Sequence, residues 1–208
     1  MDNLLSRVFK RSFDLVISTL SILFLFSWLF PILTLLIKLS SKGPVFFVQN
    51  RTGINNRIFK CVKFRSMKVN RNADLKQATL NDSRITRVGH FLRNTHLDEL
   101  PQFFNVFIGQ MSIVGPRPHM LKHTEIYTGL IKYYLVRHYV KPGITGWAQV
   151  SGFCGETDEL WQMEKRVEYD MFYIKNWHFF WDIKILWSTV FGNKKPENPK
   201  DLISQVAV

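Results

Sequence analysis

Residues Leu15 to Ile37 read LVISTLSILFLFSWLFPILTLLI, 23 consecutive positions without a charge and dominated by Leu, Ile and Phe. A helix of that length rises about 35 Å at ~1.5 Å per residue, enough to cross the hydrocarbon core of a bilayer. The run is too long for the core of a secretory leader. The residues after it, Lys38-Leu39-Ser40-Ser41-Lys42, hold no small-residue cleavage pattern. It therefore reads as a membrane segment. Arg7, Lys10 and Arg11 precede it and Lys38 and Lys42 follow it, so positive charge marks both ends as cytoplasmic. A straight span satisfies that rule at only one end. Pro31, two thirds of the way along, frees a backbone carbonyl and permits a sharp bend. Two arrangements follow: a re-entrant helix-break-helix hairpin that returns to one face, or a Pro-kinked single span. Asp14 lies one helical turn after Arg11, and the two are expected to pair at that depth.

Outward from this segment the chain divides into a membrane unit over 1–40, a body over 41–192 and a flexible tail over 193–208. The tail carries two prolines, Pro196 and Pro199, and little periodicity. Gly43-Pro44 is a break, and Val45 to Val48 then reads as a strand. Ile58 to Arg65 is a second alternating run, and turn chemistry at Thr52-Gly53 and Asn55-Asn56 joins the two into a small β-hairpin. Its basic residues, Arg51, Arg57, Lys60, Lys63 and Arg65, suit a phosphate-facing surface or a solvated face. Ile85 to Thr95 interleaves Arg84, Arg87 and Arg93 with apolar residues, which predicts a short helix with a basic face. Thr157 to Ile174 is helical, and the density of Trp and Tyr that follows favours a bilayer interface, with core packing taking part of it.

A net charge of +12 implies anionic partners: nucleic acid, acidic headgroups or phosphorylated substrates. A hydrophobic content of 46% excludes a disordered chain. Cys61 and Cys154 make neither a disulfide framework nor a paired metal-ligand spacing. P-loop, G-x-G-x-x-G and G-x-S-x-G patterns are absent, which removes the commonest nucleotide-binding and serine-hydrolase classes.

The chemistry concentrates at His96-Leu97-Asp98-Glu99-Leu100-Pro101-Gln102. Apolar residues at Leu100, Phe103, Phe104, Phe107 and Ile108 form a helical stripe closed by Gly109. Asp98 suits its N-cap, with Pro101 in the first turn. A helix N-terminus depresses the pKa of a carboxylate, and an ionised pair there can attack a phosphate, hold Mg²⁺, or simply cap the helix. Arg93 is close enough in sequence to reach a phosphate bound at Asp98, and Arg117 is held rigidly between Pro116 and Pro118. His119 and His123 stand at i, i+4 without a third metal ligand, so a structural or substrate-contacting role is expected. In Lys141-Pro142-Gly143-Ile144-Thr145-Gly146-Trp147, two glycines permit close approach to a ligand.

Seven stretches together resemble the monotopic phosphoglycosyl transferases, bacterial sugar transferases that start glycan assembly on undecaprenyl phosphate. They are Lys10-Arg11-Ser12-Phe13-Asp14 with the Pro31 membrane segment, Gly43-Pro44-Val45-Phe46-Phe47, Lys63-Phe64-Arg65-Ser66-Met67, Leu97 to Gln102, Met111 to Pro118, and Lys141 to Trp147. They come in family order over residues 10 to about 190. The resemblance implies an α+β, mostly helical fold: a re-entrant membrane helix, a small β-hairpin, and amphipathic interface helices around a cytosol-facing active site in a catalytic domain over 41–192. It implies a reaction in which Asp98 attacks the sugar-bearing phosphorus of a UDP-sugar and expels UMP. The phosphosugar then passes to undecaprenyl phosphate, a first membrane step of exopolysaccharide, O-antigen or capsule assembly. Glu99 would coordinate Mg²⁺ beside Asp98. Arg93 and Arg117, with Lys63 and Arg65 behind them, would bind phosphate, and Asp170 and Asp182 match further acidic positions.

The implied location is the bacterial inner membrane with the active site facing the cytoplasm, and Arg11, Asp14 and Pro31 shaping the membrane hairpin. The implied partners are the UDP-sugar, undecaprenyl phosphate and an anionic bilayer, with a homodimer left open and nucleic acid excluded. His119, His123 and the stretches Gly155 to Asp158 and Met163 to Val167 resemble the branch that transfers glucose 1-phosphate; galactose and N-acetylated amino sugars stay open. Two positions depart from the family pattern: Phe30 precedes the membrane proline where some members have Ser, and Gln110 stands where Asp is frequent.

Overall fold

The helical backbone that begins at Leu4 runs without interruption to Ser40, through α1 (Leu4–Leu20), a single π-helical turn (Ser21–Leu25) and α2 (Phe26–Ser40). The computed structural model describes residues 4–70, 79, 82–155, 157 and 159–192; the tail expected over 193–208 lies outside them. This is the one described helix that is long and apolar enough to cross a membrane. The bend expected at Pro31 does not break it. Pro31 sits inside α2, and the departure from α geometry lies earlier, in the π turn, where the hydrogen-bond ladder shifts by one residue.

One stripe of this helix faces the rest of the protein. Lys10, Asp14, Ser18, Phe26, Leu33 and Ile37 are buried, while Phe9, Leu20, Phe24, Trp28, Ile32 and Leu35 are exposed. The polar half of the stripe is fully partnered. Lys10 Nζ donates to Asp182 Oδ2 (2.5 Å) and to the Tyr173 hydroxyl (3.2 Å). The expected Arg11–Asp14 pairing does not form, because each finds partners in the body that a neighbouring side chain cannot replace. Arg11 donates to the carbonyls of Val106 and Phe107, both at 2.7 Å, and so caps the C-terminal end of a helix. Asp14 Oδ1 accepts from the Ser112 hydroxyl (3.0 Å) and the Ile113 amide (2.9 Å).

The predicted hairpin is present as β1 (Phe46–Thr52) and β2 (Ile58–Phe64), antiparallel, with Asn55 and Asn56 both at positive φ in its turn. Then come α3 (Arg87–Asn94), N-capped by the Thr86 hydroxyl, and a 3₁₀ turn over Leu97–Glu99. α4 (Gln102–Phe107) and β3 (Ser112–Val114) follow. α5 (Leu121–Leu130) leads to a 3₁₀ turn over Tyr134–Tyr139 and to β4 (Gly143–Thr145). The last elements are α6 (Trp147–Val150), α7 (Leu160–Lys175) and α8 (Phe179–Phe191).

β3 and β4 pair in parallel, a contact that three-residue strands give no periodicity to announce. The glycines of this stretch serve that pairing. A Cβ on Gly143 would stand 2.1 Å from the Gly115 nitrogen, and one on Gly146 would stand 2.2 Å from the Gly115 oxygen. The main core gathers Phe59, Cys61, Val106, Met111, Ile113, Val114, Tyr173 and Ile185. A second cluster of Leu33, Ile37, Phe64 and Leu92 welds α2 to β2 and α3.

The aromatic crowd near the C-terminal end divides. Tyr173 is buried, and Trp147, Trp177 and Trp181 pack against the core, whereas Phe180, Trp187, Val190 and Phe191 of α8 are exposed. Edge-on contacts of Phe179 with Phe9 (4.7 Å) and Phe13 (5.3 Å) bring this exposed face of α8 beside the outer face of α1. Phe104, Phe107 and Ile108 at α4 add to the exposed apolar surface. Exposed apolar side chains in this number suit a membrane-associated protein.

Candidate active site

Between the hairpin, α3 and the β3–β4 pair lies a cleft of about 1200 Å³, lined by Lys63, Arg93, Asp98, Glu99 and Arg117 among others. The local fold that delivers the carboxylates differs from a simple helix cap. His96 adopts a left-handed conformation (φ 56°), uncommon for a residue with a Cβ, and turns the chain sharply out of α3 into the 3₁₀ turn. Asp98 and Glu99 sit on that turn, and Pro101, not Asp98, flanks α4.

The two neighbouring carboxylates have opposite surroundings. Glu99 is saturated with cations: Oε1 accepts from Lys63 Nζ (2.5 Å) and Arg117 Nη2 (2.6 Å), and Oε2 from Arg117 Nη1 (3.1 Å). Burial opposes its charge, but Arg117 and Lys63 outweigh burial and hold the carboxyl well below the usual range. Asp98 accepts no hydrogen bond among the described residues. Burial, against the pull of Lys63, pushes its carboxyl up to about 6. The helix-terminus expectation had the opposite sign. Desolvation dominates here, and among the described residues no backbone amide donates to the Asp98 oxygens. At neutral pH Asp98 is still mainly ionised, while its reach and lack of partners leave it available. Two titratable groups driven apart by their surroundings are what a division of chemical labour requires.

Arg93 lines the same cleft, and its guanidinium has no hydrogen-bond partner among the described residues. Arg117 is aimed by its flanks. The carbonyl of Pro116 accepts from the Gly143 amide (2.9 Å), that of Pro118 from Arg51 Nη1 (3.0 Å), and its own from Arg137 Nη2 (2.8 Å). Arg65 lines the cleft as well, but its guanidinium is spent on the carbonyls of Lys42 (2.6 Å) and Ser41 (2.7 Å), where it closes the end of α2.

Asp170 and Asp182 lie outside the cleft wall, in the interior. Asp182 receives Lys10, the Tyr173 hydroxyl (2.7 Å) and the Trp177 indole (3.1 Å). Asp170 pairs with Arg137 at 2.7 Å, and both side chains are almost fully shielded. Arg137 has no marker in the sequence beyond its place in an aromatic run, yet it connects Asp170 to the Arg117 backbone. It also donates to His119 Nε2 (2.8 Å), and His119 Nδ1 shares a hydrogen bond with the Tyr134 hydroxyl (2.6 Å). Burial, then Arg137, keeps His119 neutral. Asp170→Asn leaves the Arg137 charge buried and uncompensated, so it should cost about 3–5 kcal/mol. On a chain of this size that lowers the unfolding midpoint by about 10 °C, and a thermal melt in detergent reads it directly. Gln110, the departure from the family pattern, accepts from Asn105 Nδ2 (2.8 Å) and supports the α4 turn.

Among the described residues no three His, Cys, Asp or Glu side chains gather around one point. In the cleft, Asp98 and Glu99 are the carboxylates that a metal would meet among the described residues. Three of the roughly four acceptor positions of the Glu99 carboxylate are taken, and one remains on Oε2. Two carboxylates completed by substrate phosphates are a donor set that suits Mg²⁺.

Residues 5–194 match the family model described as bacterial sugar transferase. The chain is 56% identical over 187 residues to the UDP-glucose:undecaprenyl-phosphate glucose-1-phosphate transferase of Escherichia coli (strain K12), covering 89% of this chain and 40% of that protein. It is 42% identical over 188 residues to the exopolysaccharide production protein PSS of Rhizobium leguminosarum bv. phaseoli, covering 88% of this chain and 94% of that one. To the UDP-galactose-lipid carrier transferase of Erwinia amylovora it is 43% identical over 203 residues, covering 89% of this chain and 40% of that protein. The chain thus spans about two fifths of the length of its E. coli and Erwinia relatives. With a match that runs through both the anchoring helix and the cleft, the chain belongs to the bacterial sugar transferase family.

Proposed function

We propose that the chain transfers a sugar 1-phosphate from a UDP-sugar, UDP-glucose first among them, to undecaprenyl phosphate through a covalent intermediate on Asp98. The observation that carries the reading is the contrast between Asp98, whose carboxylate lines the cleft and accepts no hydrogen bond among the described residues, and Glu99, which is paired with both Lys63 and Arg117. An Asp98 oxygen attacks the sugar-bearing phosphorus; the bond from that phosphorus to the bridging oxygen breaks, and UMP departs with the electron pair. An oxygen of undecaprenyl phosphate then attacks the same phosphorus, and the Asp98 carboxylate leaves. Nucleophile and leaving groups are anions throughout, so no general base is needed. What the cleft must supply is cationic neutralisation, and Lys63, Arg93 and Arg117 supply it. Glu99 keeps Lys63 and Arg117 in place around the phosphorus.

Asp98 and the free position on Glu99 Oε2 would hold Mg²⁺, which when bound offsets charge on the diphosphate oxygens. Excess EDTA should therefore stop UMP release, and added Mg²⁺ should restore it; release undiminished by EDTA sinks the metal. Relatives named for glucose 1-phosphate transfer support UDP-glucose, and the one named for UDP-galactose keeps that donor as the second reading. Re-entry of the membrane helix on one side is supported by its two fastened ends. Lys10, Arg11 and Asp14 hold one end of a 37-residue helix to the body, and Leu33 and Ile37 hold the other. In a straight helix the fastened positions Lys10 and Ile37 would stand about 40 Å apart. The proposal accordingly places the protein on the cytoplasmic face of the inner membrane. The test is nucleotide release from purified protein given undecaprenyl phosphate, Mg²⁺ and a panel of UDP-sugars. UMP from one donor is expected, and UDP as the product would overturn the reading.

A further inference from the structure

The long N-terminal helix and the cleft meet along a packed seam. Leu33 and Ile37 of α2 are buried against Phe64 of β2 and Leu92 of α3, and Leu97 and Leu100 pack on the same cluster. Those two leucines flank Asp98 and Glu99, so the 3₁₀ turn that carries the carboxylates rests on the far half of the long helix. Phe26, at the start of α2, extends the seam. Its ring stands 5.8 Å from those of Phe103 and Phe104, on the helix that follows the turn. The near half of the long helix is buried along Lys10, Asp14 and Ser18, and its bonds run to α8 and β3.

Both stripes can meet one body only if they lie on one side of the helix. In an α-helix each residue turns the chain by about 100°. Counted from Lys10 at that step, Lys10, Asp14 and Ser18 centre at about 40°, and Phe26, Leu33 and Ile37 at about 160°. An unbroken α-helix would therefore aim the two stripes about 120° apart. The π turn over Ser21–Leu25 lies between them, and there the Phe26 amide donates to the Ser21 carbonyl, five residues back instead of four. Such a turn takes up one residue more than the α ladder, so every position beyond it counts one step back. The second stripe then centres at about 60°, and the two agree to about 20°. Phe26 and Leu33, on either side of Pro31, already agree to about 20° without correction, so the proline supplies none of this shift. We infer that the π turn is a register device: its extra residue brings the Leu33–Ile37 stripe onto Leu97 and Leu100, and so positions the turn that presents Asp98 and Glu99.

The test is amide hydrogen exchange, read by mass spectrometry on the full chain in detergent. Wild type is compared with a deletion of Leu23, an insertion of one Ala after Leu23, and a deletion of both Leu23 and Phe24. Deleting Leu23 turns the π turn into α-helix and keeps both stripes in phase, so exchange over 96–104 should stay within about 3-fold of wild type. The insertion and the double deletion each swing the second stripe by about 100° and should speed exchange over 96–104 by about 10-fold or more. Exchange in α7 should not change, since the Lys10 and Asp14 bonds stay in place. If helix length alone mattered, deleting Leu23 would loosen 96–104 as much as the insertion does, and that result overturns the register role. Exchange over 96–104 that the insertion leaves unmoved overturns the positioning. Should the insertion loosen α7 as well, Leu33→Ala decides, since it keeps the register and trims the seam. Faster exchange over 96–104 alone then supports the positioning, and no change there overturns it. No substrate is present, so these outcomes stand apart from the turnover assay.

Discussion

Asp98→Asn should abolish turnover and raise the unfolding temperature in the same protein. The loss is expected at about 10⁴-fold or more, the scale on which removing a covalent nucleophile is felt. Asparagine keeps the shape of the side chain and loses the charged oxygen that would attack phosphorus. The gain in stability follows from the direction of the Asp98 shift. A carboxyl raised from 3.8 to about 6 by burial is one whose charge the fold disfavours at neutral pH. Replacing it by a neutral isostere removes a penalty of at most about 3 kcal/mol. Wild type incubated with labelled donor should carry phosphosugar on Asp98, and the variant should carry none. Near-normal turnover, or a variant that melts earlier than wild type, contradicts the role given to this carboxylate.

Arg117→Met should reduce turnover by about 10²–10³-fold, the range for removing one preorganised group from the charge that builds in a transition state. The residue has two tasks that fail together. On the proposed reaction it faces the phosphate, and through its paired bonds to Glu99 (2.6 and 3.1 Å) it holds the carboxylate that also orders Lys63. Without it Glu99 keeps a single cationic partner in a buried site, and its carboxyl must rise from its present low value. The variant should then acquire a pH dependence through Glu99 that wild type lacks. Adding Glu99→Gln in the Arg117→Met background should cost much less than Glu99→Gln alone, since both act through one unit. Additive losses would show that Arg117 and Glu99 work independently.

What could be read from the chain before its structure was known follows a physical line. The hairpin was legible because alternation and the Asn55-Asn56 turn are local, and both asparagines do take positive φ. Asp98, Glu99, Arg93 and Arg117 line one cleft; spacing suggested it for Arg93 beside Asp98, and only the family resemblance suggested it for Arg117. The capping role of Asp98 was misread because Asp-x-x-Pro fits a helix start, while the left-handed turn at His96 leaves no trace in composition. The sign of the Asp98 shift depends on burial, which no window of sequence contains. Lys10 and Asp182, 172 positions apart, each look like surface charges until the fold brings them together. Asp170 was noticed for its identity, but its work, supporting the Arg117 backbone through Arg137, needs coordinates to be seen.

The fastening of α1 by Lys10, Arg11 and Asp14 has a mechanical outcome. Its bonds reach α8, the carbonyls at the end of α4 and the edge of β3, so anchor and cleft cannot swivel against each other. On the proposed reaction, a protein mounted so rigidly would carry Asp98 at one fixed altitude over the lipid headgroups. A lipid-borne acceptor would then have no need to climb: its phosphate would arrive by lateral diffusion at a dock of constant height, with the search for it confined to two dimensions.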